Sequence, residues 1–254
     1  MQVKILGCSG GIGGKLRTTS MLIDRDILID AGTGAMDLSI EEMMMIDHIF
    51  ITHSHLDHIA SLPMLVDTVI GLRDKHIKLH ATRETWQILQ DHIFNWKIWP
   101  DYTTIPDTSN PFIVYSEVKV GETIVIGDRK ITPLPVNHVV PTVGYQMDSG
   151  TNSLVFTSDT TTCDALWEAV NRIDNLQYLI IETSFGNAEI DLARRSKHLC
   201  PSLLIDELHK LKHPAQIFIT HLKPGEDEAI MRQINRDATA FNPQALSALQ
   251  VLEL

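Results

Sequence analysis

The stretch Thr52-His53-Ser54-His55-Leu56-Asp57-His58 constrains this chain more than any other, because it sets three imidazoles and a carboxylate directly behind the apolar run Ile49-Phe50-Ile51. Alternation along a strand or turn sends His53 and His55 the same way, whereas Asp57 and His58 begin the next turn and reach a second point. Two adjacent metal pockets follow from that spacing. Imidazole and carboxylate donors suit zinc and also accept iron or manganese, so the ligand set names a divalent transition metal without choosing one. A polar loop rich in histidine would show the same letters, so distant partners have to decide.

Those partners are polar groups at the ends of apolar strands. His138 follows Leu134-Pro135-Val136-Asn137, and Asp159 follows Leu154-Val155-Phe156-Thr157-Ser158. The run Ile49-Phe50-Ile51-Thr52-His53 recurs letter for letter as Ile217-Phe218-Ile219-Thr220-His221. Two half-domains presenting such strand ends to a shared cleft would explain the repeat, since ligands of α/β sheets collect outside the carboxyl ends of strands. The set then reads as two half-sites: His53, His55 and His138 for one metal, and Asp57, His58 and His221 for a second. Asp159 bridges, because a carboxylate has two oxygens. Asp30, ending a short strand, is either an acceptor that orients a ligand histidine or an ordinary turn residue.

The chain has 254 residues with 44% hydrophobic content, enough for a large α/β core. No break in composition separates two units, so a single domain over 1–254 is expected. Early strands are expected at 3–6, 20–23, 27–29 and 77–80, and early helices at 39–46, 62–72 and 82–94, the first of these with a Ser39/Glu42 capping box. His80 reads as structural. Five short segments between 113 and 156 read as the antiparallel part of a sheet. Beyond them, helices near 163–172, 201–212 and 226–234 alternate with strands near 178–181 and 216–219. The glycine-rich stretch 7–14 fits no phosphate-loop pattern and reads as a tight turn passing close to the site. Residues 95–111 form an aromatic-rich insert whose rings can stack on a base, meet a second subunit in a homodimer, or pack internally.

Several classes are disfavoured. A net charge of −11 opposes tight non-specific binding to a polyanion. Cys8, Cys163 and Cys200 are odd in number and widely spaced, which argues against a disulfide framework or a thiolate zinc site. No run approaches a membrane span and the start lacks a signal peptide's apolar region, so a soluble, cytoplasmic protein is expected.

The order H-x-H-x-D-H, His138, Asp159, His221 in these strand contexts resembles the metallo-β-lactamase superfamily over nearly the whole chain. The resemblance implies an αββα sandwich, two mixed β-sheets flanked by helices, with two divalent metals at one edge. Within the superfamily, Leu6-Gly7-Cys8-Ser9-Gly10-Gly11, Leu56, the span Phe94 to Pro100 and His198-Leu199-Cys200-Pro201 resemble class II cyclic-nucleotide phosphodiesterases. Leu62-Pro63-Met64-Leu65 and His138-Val139-Val140-Pro141-Thr142-Val143-Gly144-Tyr145 resemble ribonuclease Z. Ser61 departs from the phosphodiesterase pattern, which has an aliphatic residue there. The first branch implies hydrolysis of 3′,5′-cyclic nucleotides (cAMP or cGMP) to 5′-nucleotides by a water activated between two metals. In it His198 gives a proton to the leaving oxygen, and Asp57 is catalytic as well as a ligand. The alternative is a tRNA 3′-processing endonuclease, which should bring a basic RNA-gripping arm that this acidic chain does not display. Other hydrolases of the superfamily, acting on lactones, thioesters or lactams, share the motif. Arg194, Arg195 and Lys197 either help hold a phosphate or solvate a helix face.

Overall fold

Apolar residues fill both faces of the first strands, β1 (Gln2–Gly7), β2 (Ser20–Ile23) and β3 (Ile27–Ile29). Val3, Ile5, Met21, Ile23, Ile27 and Ile29 join one buried cluster, while Leu6, Leu22 and Leu28 join another. A sheet apolar on both faces needs a layer on each side. The computed structural model, which describes all 254 residues, supplies those layers as two seven-stranded sheets packed face to face with helices outside.

The first sheet continues through β4 (His48–Phe50), β5 (Ile77–Ala81) and β6 (Ile113–Glu117). Its outer face is covered by α1 (Ile40–Met44), α2 (Leu56–Ile59), α3 (Leu62–Val69) and α4 (Arg83–His92), with Leu65, Val66, Trp86 and Leu89 among the buried contacts. The second sheet runs β7 (Ile124–Ile126), β8 (Arg129–Pro135), β9 (Val143–Asp148), β10 (Ser153–Phe156), β11 (Leu176–Glu182), β12 (Gln216–Thr220) and β13 (Gln244–Ala245). Outside it lie α5 (Asp164–Val170), α6 (Ile190–Ser196), α7 (Pro201–Leu208) and α8 (Asp227–Asp237). Finally β14 (Val251–Glu253) pairs antiparallel with β1 at the edge of the first sheet. Between the sheets lies a third cluster that includes Phe50, Tyr145, Phe156 and Phe218. This is the αββα sandwich expected from the resemblance. No helix is long and apolar enough to cross a membrane.

One expectation needs correction. Segment 113–117 is not part of an antiparallel run: as β6 it pairs parallel with β5, in the other sheet from β7 to β10. The crossover through α4 returns the chain in the same direction, and alternation along a strand does not encode the direction of its neighbour. The insert at 95–111 packs inward only in part, since residues 96–98 and 106–110 are exposed. Phe94 and Tyr102 are buried in the helix-side core with Trp99 against it, while Trp96 stays 64% exposed.

One ion pair ties the layers together. Arg129 at the start of β8 donates from Nη1 and Nη2 to the two carboxylate oxygens of Asp26 at 2.5 and 2.8 Å, and from Nη1 to Asp24 at 3.0 Å. Both acids sit in the β2–β3 turn, so this charged fork spans the two sheets.

Candidate metal centre

The motif lies just past β4 rather than on it. Strand pairing ends at Phe50, and the turn that follows is fastened to the opposite sheet: Tyr145 Oη donates to the Ile51 carbonyl at 3.0 Å, and Val143 N to the Thr52 carbonyl at 3.1 Å. Strand alternation therefore does not aim His53 and His55. The turn aims them, and the short helix α2 aims Asp57 and His58.

Five histidine side chains, His53, His58, His138, His198 and His221, share one logic, in which one ring nitrogen is anchored and the other faces a common space. Asp30 is the main anchor on the first sheet. Its carboxylate accepts from His58 Nδ1 at 2.7 Å, and from Thr52 N and Oγ1 at 2.8 Å each; the Thr52 hydroxyl in turn accepts from His53 Nδ1 at 3.0 Å. Asp30 is thus an orienting acceptor, not merely a turn residue. On the second sheet, His138 Nδ1 donates to the Lys197 carbonyl at 3.1 Å, and His221 Nδ1 to Ser184 Oγ at 2.8 Å. His198 Nδ1 donates to Glu182 Oε1 at 2.6 Å. His55 Nδ1 faces His138 Nε2 at 3.2 Å.

The free nitrogens converge on Asp159. Its carboxylate lies 3.7 Å from His53 Nε2, 3.4 Å from His58 Nε2, 3.8 Å from His138 Nε2 and 3.5 Å from His221 Nε2. Two groups that could hold a metal ion result, His53, His55, His138 with Asp159, and Asp57, His58, His221 with Asp159. A third, Asp159, Glu182 and His198, adjoins them. His53 Nε2 and His58 Nε2 are buried with no hydrogen-bond partner. A buried ring nitrogen left unpaired is costly, and a divalent cation accepting its lone pair removes that cost, so the residues fit such an ion.

The electrostatics suit the same use. Burial pushes His138 down to about 4 and drives His53 well below the ordinary histidine range, keeping both rings neutral as ligation requires. Burial opposes charge on Asp159 and Asp57 too, yet the surrounding imidazoles, His221 foremost, hold both carboxyls below their usual range. His58 is the exception: against burial, Asp159 and Asp30 hold it well above the ordinary histidine range, so this ring has to give up a proton to ligate.

The profile described as "Beta-lactamase superfamily domain" matches residues 25–222. The chain belongs to the β-lactamase superfamily. Among curated proteins, this superfamily member is 26% identical over 206 residues to a "Probable 3',5'-cyclic-nucleotide phosphodiesterase" of Yersinia pestis, covering 71% of the chain and 58% of that relative. It is 28% identical over 154 residues to a ribonuclease Z of Methanopyrus kandleri, covering 58% of the chain and 50% of that relative. The matched regions thus span 58% and 50% of these relatives' lengths. Among solved structures, unliganded yeast PDE1 superposes with a TM-score of 0.83 at 18% identity, covering 100% of this chain and 99% of that one, a likeness of fold.

All seven nominated donors, and His198, come together. The glycine-rich turn also passes close to the cluster: a Cβ at Gly10 would fall 2.4 Å from the His221 carbonyl oxygen. Arg194 and Arg195 are exposed on α6, whereas the Lys197 ammonium donates to the His138 carbonyl at 3.1 Å. Sequence reasoning missed Glu182, Ser184 and Thr52. Glu182 had a usable signal, since it ends the apolar strand Tyr178-Leu179-Ile180-Ile181 as Asp159 follows its own. Ser184 and Thr52 carried none, because a lone hydroxyl beside a strand end is common.

Proposed function

We propose that this superfamily member is a metal-dependent phosphodiesterase that hydrolyses 3′,5′-cyclic nucleotides, cAMP or cGMP, to 5′-nucleotides. The observation that carries the reading is His198, only 8% exposed, backed by Glu182, with its ring centroid 4.9 Å from His138 and 5.2 Å from His221. A proton donor thus stands beside both donor groups. In this reading His53, His55 and His138 hold one divalent ion, Asp57, His58 and His221 hold another, and Asp159 serves both. Zinc is the first choice, with manganese or iron accepted. When bound, such ions polarise phosphoryl oxygens and lower the pKa of water.

The chain's own residues do the rest. The Glu182 carboxylate favours the protonated His198 ring, which is raised by that charge against the effect of burial. It also fixes Nδ1, so that Nε2–H gives its proton to the 3′ oxygen as the bond to phosphorus breaks. Asp57 is the most open of the site carboxylates and orients the attacking water besides ligating. Asp30, Thr52 and Ser184 hold the histidine rings in place, which is where preorganisation resides.

The phosphodiesterase named among the relatives supports this reading, as does the fold shared with yeast PDE1. The ribonuclease Z relatives favour a second reading, cleavage of precursor tRNA. A net charge of −11 weighs against it. Assay of the metal-loaded protein on cAMP, cGMP and precursor tRNA separates the two. A clear preference in kcat/KM for a cyclic nucleotide is expected, and comparable efficiency on tRNA would overturn the proposal.

A further inference from the structure

Behind His221, a cavity of about 360 Å³ opens between the glycine-rich turn, the end of β12 and the start of α8. Its volume falls within the range of small-molecule sites. Cys8, Ile219, Met231 and Leu246 make it largely apolar. Burial pushes the Cys8 thiol up to about 11, so that wall carries no charge. The Met231 thioether is the kind of soft, polarizable group that packs well on a flat ring.

Charge is distributed unevenly around this cavity. Lys223 lines it, yet its ammonium donates to the Gly10 carbonyl at 3.0 Å and lies 5.8 Å from the centre of the Phe185 ring. That ring is in turn 5.8 Å from His198, so one side chain links the cavity to the neighbourhood of the proton donor. Asp227 and Glu228, in the first turn of α8, also line the cavity.

We infer that this cavity seats the heterocyclic base of a mononucleotide whose phosphate is held at the Lys223 end. The phosphate's position rests on the phosphodiesterase reading; the base site does not. Lys223 attracts a single anion, while Asp227 accepts from an exocyclic amino or ring N–H group of a purine; the Glu228 carboxylate accepts from Arg232 Nη1 at 3.3 Å and adds negative charge at that rim. A second phosphate would meet those carboxylates, so a polynucleotide is excluded from the cavity.

The test is calorimetric titration of the purified protein with adenosine and with 5′-AMP, alongside kcat/KM on methyl p-nitrophenyl phosphate, which carries no base. Met231→Trp and Ala245→Leu fill the cavity from opposite sides, and the second covers failure of the first to fold. Each filling variant should weaken both ligands at least about tenfold, the effect of losing roughly one good contact, while hydrolysis of the baseless ester stays within about twofold. Lys223→Gln should weaken 5′-AMP by about tenfold and leave adenosine unchanged. Adenosine binding that is absent, or indifferent to both fillings, overturns the base site; equal losses for adenosine and 5′-AMP in Lys223→Gln overturn the phosphate role. If the protein cleaves no phosphodiester, the functional reading fails, and the adenosine titration still decides the cavity.

Discussion

Replacing His198 with alanine removes the ring that lies against His138, His221 and Phe185 and strips Glu182 of its charged partner. Breaking one side of a buried ion pair costs about 3–5 kcal/mol when nothing compensates. Here the Glu182 carboxylate keeps three donors, Thr160 N at 3.1 Å, Ser184 Oγ at 3.2 Å and Leu199 N at 3.3 Å. The stability loss should therefore be nearer about 1–3 kcal/mol, and the variant should fold. Its rate is another matter. A positioned acid contributes about 10²–10⁴-fold, which corresponds to about 2.7–5.5 kcal/mol of barrier. The full loss is expected on cAMP, whose 3′ oxygen leaves poorly without a proton. On bis(p-nitrophenyl) phosphate the leaving group needs little protonation, and the loss should shrink towards unity. Metal content measured by elemental analysis on the same samples should match the parent protein. Equal losses on the two substrates, no loss on cAMP, or depleted metal would each show that His198 is not the acid.

Asp159→Ala should lose most of the bound metal and activity, because both donor groups include that carboxylate; elemental analysis returning a full complement in the variant would refute the bridging role. Arg129→Met should lower stability by about 1–3 kcal/mol, the worth of a partly buried, bidentate charged fork, and a urea midpoint unchanged from the parent would refute the clamp. His80, buried and stacked on Phe50, is pushed down to about 3 by burial. Between that value and the unfolded one of about 6.5, the unfolded chain binds a proton that the native chain does not, so stability falls as pH falls. From pH 7 to 5 this should remove about 1–2 kcal/mol, and His80→Gln should flatten that limb in urea titrations run with a chelator. Parallel pH curves for the two proteins would refute it.

How much was legible in the sequence depended on whether a residue's role was written locally. His53, His55, Asp57 and His58 lie in one turn, and His138, Asp159 and His221 each follow an apolar strand, so their shared position could be argued from strand ends alone. The Ser39/Glu42 capping box was equally local and is present. The direction of β6 was not legible, since alternation reports which faces are buried and nothing about the neighbouring strand. Nor was the docking of β14 on β1, a contact between the two ends of the chain. His198 was reached through resemblance; its burial and its partner Glu182 depend on where β11 ends relative to α7, which no local pattern records.

The turn after β4 is fastened to β9 by Tyr145 and Val143, while three of the donors, His138, Asp159 and His221, extend from the opposing sheet. The cluster therefore works as a gauge of how the two sheets are seated. If one slides on the other by an ångström, donors on the two sides part company before any of them loses its own anchor. Substitutions deep in the layer around Phe50 and Tyr145, far from any substrate, should register first as weakened metal affinity and only later as unfolding.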